Sequence, residues 1–181
     1  NVFLECKGLS ELNWRQLYPD EEELYVIVSK TVQKEIDRSK DSDTPKKRRK
    51  AKTINSIFRR MIMDESSYTI RENNPKAVIG FMPMMDTSLK KYDFLDLEDQ
   101  DDRIINEILC YQEVHPEQDV VFISDDTTPI SRARNCGIKC DLVPEDWKVS
   151  PEPDERDQTI RRQQEEITKL KQSKPEFNVN F

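Results

Sequence analysis

At 181 residues the chain is long enough for one domain with an appendage, or for one domain of a longer protein. Its 29 Lys+Arg against 36 Asp+Glu give a net charge of −7, which excludes a generally basic nucleic-acid binder but leaves room for a local basic face. Only 3 Gly occur, so neither a G-x-G-x-x-G nor a P-loop spacing is available for nucleotide phosphates, and no run approaches the roughly 20 apolar residues of a membrane span.

Asn1 opens directly into an apolar run, with no initiator Met and no cleavable signal, so the natural N-terminus is expected upstream. Val2 to Glu5 is too short to classify alone. Leu12, Trp14 and Leu17 anchor a short helix predicted from Ser10 to Tyr18, which Pro19 and the following acids end. Leu24 to Val28 is a continuous, β-branched apolar run, as expected of a buried strand. Ser29 and Thr31 are N-cap candidates for a helix through Ser39, in which Val32 and Ile36 share a face and Glu35 stands beside them. After a loop from Asp41 to Pro45, the basic run Lys46 to Lys52 leads into Ile54, Ile57, Phe58, Met61 and Ile62. Their three- and four-residue spacing predicts an amphipathic helix with a basic start.

Tyr68 to Arg71 and Ala77 to Phe81 read as two short strands of a hairpin, and Met82 to Leu95 as an irregular loop. The acids from Asp96 to Asp102 precede a helix carrying Ile104, Ile105, Ile108, Leu109 and Tyr111, ended by His115-Pro116. Val120 to Ser124 is a strand that stops on Asp125 and Asp126. A short helix follows from Thr128 to Asn135, with Pro129 at its first position and Gly137 as its stop. Ile138 to Val143 is the last strand, after which Pro144 to Trp147 is expected to turn away from the sheet. From Ser150 the composition shifts to a Pro-containing linker, a polar helix from Glu155 to Lys171 and a strand-like Phe177 to Phe181, leading to another domain or a partner. Residues 1–149 are thus expected to form one domain and 150–181 an extension.

Cys6, Cys110, Cys136 and Cys140, with the single His115, lack the spacing of a four-ligand zinc site, and read as buried, reduced thiols of a cytoplasmic protein. The acids carry more information. Alternating strands and helices place Glu35 in one helix, Asp101 and Asp102 at the start of another, and Asp125 and Asp126 at the end of a strand. In a parallel α/β sheet with right-handed crossovers these places converge on one edge. Carboxylates brought together repel unless a cation neutralises them, and an oxygen-only set selects Mg²⁺ or Mn²⁺. Such an ion suits hydrolysis of a phosphodiester. Each acid also has a plainer role open to it: Asp101 as a helix cap, Asp125 or Asp126 as a turn residue, and Glu35 as the partner of a surface Lys or Arg.

Four stretches in order resemble the motif set of PIN-domain nucleases. Asn1 to Glu5, N-V-F-L-E, is similar to the tail of their D-T-N-V-F-L opening. Thr31 to Asp37, T-V-Q-K-E-I-D, resembles the helix that carries their second acid. Asp101 to Ile105, D-D-R-I-I, resembles the third acidic motif. Ile123 to Ala133, I-S-D-D-T-T-P-I-S-R-A, resembles the T-N-D or T-D-D motif and its short helix. Singly these are weak signals; in this order, from Asn1 to about Trp147, they are fairly specific.

The resemblance implies a Rossmann-like three-layer α/β/α sandwich around a central parallel sheet, with a C-terminal helical extension. It also implies an endoribonuclease dependent on Mg²⁺ or Mn²⁺ and acting on single-stranded RNA. Glu35, Asp101 and Asp126 carry over as catalytic and metal-binding residues, with Asp102 and Asp125 as further metal candidates and Asn1 and Ser124 as site-orienting residues. The family's first Asp would lie two residues before Asn1, preceded by the first strand, and neither is in this chain. Lys46, Lys47, Arg48 and Arg49, with Arg59 and Arg60, are candidates to track an RNA backbone. An effector of a toxin or defence system fits this reading. A catalytically degenerate module that docks another protein through 150–181 is the alternative, and cleavage of DNA is a minor one. No membrane association is expected, and self-association into a homo-oligomer stays open.

Overall fold

The computed structural model describes residues 2–63, 67–149 and 162–169. The chain divides into two units, 1–149 and 150–181. In the first, helix α1 (Val2–Glu5) is followed by two 3-10 turns, Leu9–Glu11 and Trp14–Gln16, and by strand β1 (Glu23–Val28). Helices α2 (Lys30–Arg38) and α3 (Pro45–Met63) lead to strands β2 (Ser67–Arg71) and β3 (Lys76–Phe81). Then come α4 (Gln100–Val114), β4 (Val121–Ser124), α5 (Thr127–Asn135), β5 (Lys139–Leu142) and a 3-10 turn at Glu145–Trp147. In the second unit, 162–169 are helical and exposed. The rest of the helix expected from Glu155 to Lys171, and the strand-like Phe177 to Phe181, lie outside the described residues.

The α/β class expected from the sequence holds, but the single central parallel sheet does not. Among the described residues the strands make two sheets, a three-stranded one in the order β1-β3-β2 and a two-stranded one of β4 and β5. β1 pairs parallel with β3, from Glu23 opposite Lys76 to Val28 opposite Phe81. β2 returns antiparallel on β3, so the expected hairpin is present. β4 and β5 are parallel, Val121 opposite Lys139 and Ser124 opposite Leu142.

The reading of β1 as a buried strand also needs correction. Among the described residues β3 is its one neighbour in the sheet; Tyr25 is 67% exposed, while Val28 at its end is buried. The strand that behaves as fully buried is β3, in the centre, through Ala77, Val78 and Ile79.

Two apolar cores hold the first unit together. One gathers Leu12, Trp14, Val28, Ile36, Ile79 and Trp147 with the α3 face Ala51, Ile54, Phe58 and Met61, whose spacing of three and four puts them on one stripe. Ile62, grouped with that stripe by its spacing, points outward and is exposed. The second core joins Leu95, Ile104, Ile105 and Ile108 to Ala133, Cys136 and Ile138. Val32 of α2 packs against both. Burial of each such aliphatic side chain stabilises the fold by about 1.5–3 kcal/mol.

Two further expectations fail for long-range reasons. Ser10 to Tyr18 is two 3-10 turns separated by Leu12, which is extended and fully buried, so the chain bends to seat Leu12 and Trp14 rather than coiling into a helix. Trp147 turns into the core instead of away from it. Its ring meets Trp14 edge-on at 5.0 Å, and the Lys7 N–H donates to its carbonyl at 2.8 Å. The four cysteines are free thiols; Cys6, Cys110 and Cys136 are buried and Cys140 is half-buried.

Candidate functional site

Three helix starts bring the acids into position, and each start is capped differently. At α2 the Ser29 hydroxyl accepts from the Val32 N–H at 3.3 Å, which launches the helix and carries Glu35 into its second turn. Glu35 is half-buried, and its carboxylate makes no hydrogen bond or ion pair among the described residues. At α4 the cap is Asp99, which accepts from the N–H groups of Asp101 and Asp102 at 3.0 and 3.1 Å. The capping role open to Asp101 therefore falls to its neighbour, and the Asp101 carboxylate stays available. At α5 the cap is Asp126 itself, and the helix starts at Thr127, one residue earlier than expected from sequence. One of its oxygens accepts from the Thr128 N–H at 3.0 Å, and the side chain is exposed. Pro129 is thus the third residue of α5 rather than the first. Ser124, buried at the end of β4, accepts from the Asp126 N–H at 3.1 Å and fixes the turn that presents this acid.

The electrostatics join these three elements. Burial holds the Asp101 carboxyl above the ordinary carboxylate range. The negative charges of Asp99, Asp126 and Glu35 push the same way, and Arg132 opposes them. Glu35 on α2 and Asp126 before α5 are therefore near enough for their charges to act on Asp101 at the start of α4.

Asp102 and Asp125 belong elsewhere. Asp102 is 3% exposed, with one oxygen accepting from Arg132 Nη1 at 2.5 Å and the other from the Asp96 N–H at 2.9 Å. It ties α4 to α5 and to the preceding loop. Asp125 is half-buried and ion-paired to Lys148 Nζ at 2.8 Å, on the side of the buried Cys6, whose thiol senses Asp125 together with Lys50.

Asn1 lies outside the described residues. Lys46, Lys47, Arg48 and Arg49 occupy the first turns of α3. Lys47 lies 3.7 Å from Glu5, Lys46 and Arg49 have partners of their own, and the nearby Lys50 ammonium donates to the Cys6 carbonyl. Arg59 is exposed at the far end of α3, and Arg60 there stacks over Tyr68 with its guanidinium carbon 5.7 Å from the ring centre. The basic residues of α3 thus lie at two ends of a 19-residue helix rather than in one patch. Sequence reading missed Asp99, Arg132 and Lys148, the groups that decide which acids are occupied. For Asp99 a signal existed, since an Asp immediately before a periodic apolar segment with acids in its first turn is a capping pattern.

The donor set is carboxylate oxygen alone, which suits a hard divalent cation such as Mg²⁺ or Mn²⁺ and not a soft one. Among the described residues, no group of three or more His, Cys, Asp or Glu side chains stands in a geometry that could hold a metal ion. No helix there is long and apolar enough to cross a membrane.

Compared with known proteins, residues 1–143 match a family model described as PIN domain. No curated protein and no solved structure matches the chain.

Proposed function

Since the chain belongs to the PIN-domain family, whose members are generally nuclease-like and typically use divalent metals, we propose that it is an endoribonuclease that cuts single-stranded RNA with Mg²⁺ or Mn²⁺. The fold of this reading is the three-layer α/β/α sandwich. The observation that carries it is the PIN-domain match over residues 1–143, a span that includes Glu35, Asp101 and Asp126; beside it, burial and the charges of Asp99, Asp126 and Glu35 push the Asp101 carboxyl up. Repulsion of this kind is kept at a site that a cation relieves. Glu35, Asp101 and Asp126 offer the right oxygen donors and would hold the ion only once drawn closer together than they stand in this structure. A bound divalent ion supplies an activated water and neutralises charge on the phosphate. The chain's own contribution is to aim the three acids. The Asp99 cap leaves Asp101 uncommitted, Ser124 fixes the turn carrying Asp126, and Arg132, 45% exposed beside Asp99 and Asp102, offers a cation at the rim.

A nuclease assay of the full-length protein on a panel of single- and double-stranded RNA and DNA, with and without Mn²⁺, tests the proposal. Metal-dependent internal cutting of single-stranded RNA is the expected result. Exclusive cutting of DNA would move the substrate assignment, and the absence of cutting on every substrate would refute the enzyme reading. The alternative, a non-catalytic interaction module, is favoured by one observation: no acidic group among the described residues has metal-holding geometry.

A further inference from the structure

Glu107 is a carboxylate in the wrong place for a surface residue. It is 2% exposed in the middle of α4 and makes no ion pair among the described residues. Burying such a group costs free energy unless its oxygens are well used. Both are used on a single residue. Oε2 accepts from the Thr31 N–H at 3.2 Å and Oε1 from the Thr31 hydroxyl at 2.7 Å. Thr31 is itself 4% exposed and sits in the first turn of α2, where backbone N–H groups lack intrahelical partners and the helix dipole favours a negative charge.

The register of this pairing matters for the acids. Along α2, Glu35 follows Thr31 by four residues, one turn further on the same side, a rise of about 6 Å. Along α4, Asp101 precedes Glu107 by six residues, about 9 Å in the opposite direction. The two helices pack against each other, with Thr31 fixed on Glu107, and Glu35, one turn further along α2, stands near enough for its charge to act on Asp101. A ring of apolar side chains around Val32 could slide; a two-point hydrogen bond to one carboxylate cannot.

We infer that Glu107 is a positioning residue: by gripping the start of α2 through Thr31, it sets the reach of Glu35 toward Asp101 and Asp126. This role rests on the nuclease reading above, and its test separates the two. Glu107→Gln, Thr31→Val and Thr31→Ser are prepared in the full-length protein beside Glu35→Gln. Each is assayed for single-stranded RNA cleavage in Mn²⁺ and for Mn²⁺ affinity from the resonance signal of the free ion, with urea unfolding confirming that the assayed protein is folded. Displacing a reacting group by about 1 Å costs on the order of 100-fold in rate. The expected result is a kcat lowered by about 10- to 100-fold in Glu107→Gln and Thr31→Val with KM within about twofold, and near-complete rescue in Thr31→Ser, which keeps the hydroxyl. Mn²⁺ affinity should fall in both, and adding Glu107→Gln to Glu35→Gln should weaken it no further. Should Glu107→Gln fail to fold, Thr31→Val carries the same comparison.

An unchanged kcat and Mn²⁺ affinity in the folded Thr31→Val variant overturns the positioning role while leaving the nuclease reading intact. A wild type that binds Mn²⁺ but cuts nothing overturns the nuclease reading alone, and the affinities then decide the role of Glu107. A wild type that binds no Mn²⁺ overturns both.

Discussion

Replacing Asp102 with Ala removes the acceptor of two hydrogen bonds, one from Arg132 Nη1 at 2.5 Å and one from the Asp96 N–H at 2.9 Å. A bond to a charged group contributes about 1.5–3 kcal/mol and a neutral one about 1 kcal/mol. Arg132 is 45% exposed, so solvent screens its share and the lower part of that range applies. The expected loss is about 2–3 kcal/mol, which lowers the urea midpoint by about 1–2 M.

Asp101→Asn should act in the opposite direction. The native Asp101 carboxyl is held above its ordinary range by burial first, then by Asp99, Asp126 and Glu35. Its contribution to stability is therefore complete below the ordinary Asp range and is lost as pH rises through the raised native value. Without metal, the Asn variant should gain on the wild type as pH rises from about 4 to 7, because the wild type alone must then ionise a buried carboxyl among other acids. Urea unfolding of wild type and both variants at pH 4 and pH 7 in a chelator measures all of this. An Asp102→Ala variant as stable as wild type, together with an Asp101→Asn variant that is destabilised at pH 7, would exchange the roles of the two acids and refute the reasoning.

Trp147 is 1% exposed, and its indole N–H is buried without a partner among the described residues. Trp147→Ala should cost about 3–5 kcal/mol, whereas Trp147→Phe, which fills much of the volume and removes the orphaned N–H, should cost far less; thermal or urea unfolding distinguishes them. Replacing Lys46, Lys47, Arg48 and Arg49 together with Gln should flatten the dependence of RNA affinity on salt. The log–log slope should fall by up to about 0.7 for each phosphate of a single strand that the variant no longer neutralises. An unchanged slope in a filter-binding or anisotropy titration would remove these residues from the RNA interface.

Local chemistry was readable in the sequence. The Ser29 cap, the apolar stripe through Ile54, Phe58 and Met61, the β2–β3 hairpin and the Gly137 stop (φ 79°) all follow from spacing and backbone preference. The placing of Glu35, Asp101 and Asp126 on three different elements also follows from that spacing. What spacing could not convey was set by distant partners. Whether Asp102 or Asp101 is occupied depends on Arg132, thirty residues away. The return of Trp147 to Trp14 spans most of the unit, and the grip of Glu107 on Thr31 joins two helices that share no sequence pattern. The exposure of Tyr25 on β1, which has one sheet neighbour among the described residues, is something no run of apolar residues reveals on its own.

The central claim is that Glu35, Asp101 and Asp126 act together on a phosphodiester. Cleavage of a labelled single-stranded RNA in Mn²⁺ by the Glu35→Gln/Asp126→Asn double variant, compared with wild type at matched folded concentration, tests it most directly. The account predicts cutting reduced to background, with the circular-dichroism spectrum unchanged. Undiminished cutting by the folded double variant would contradict it.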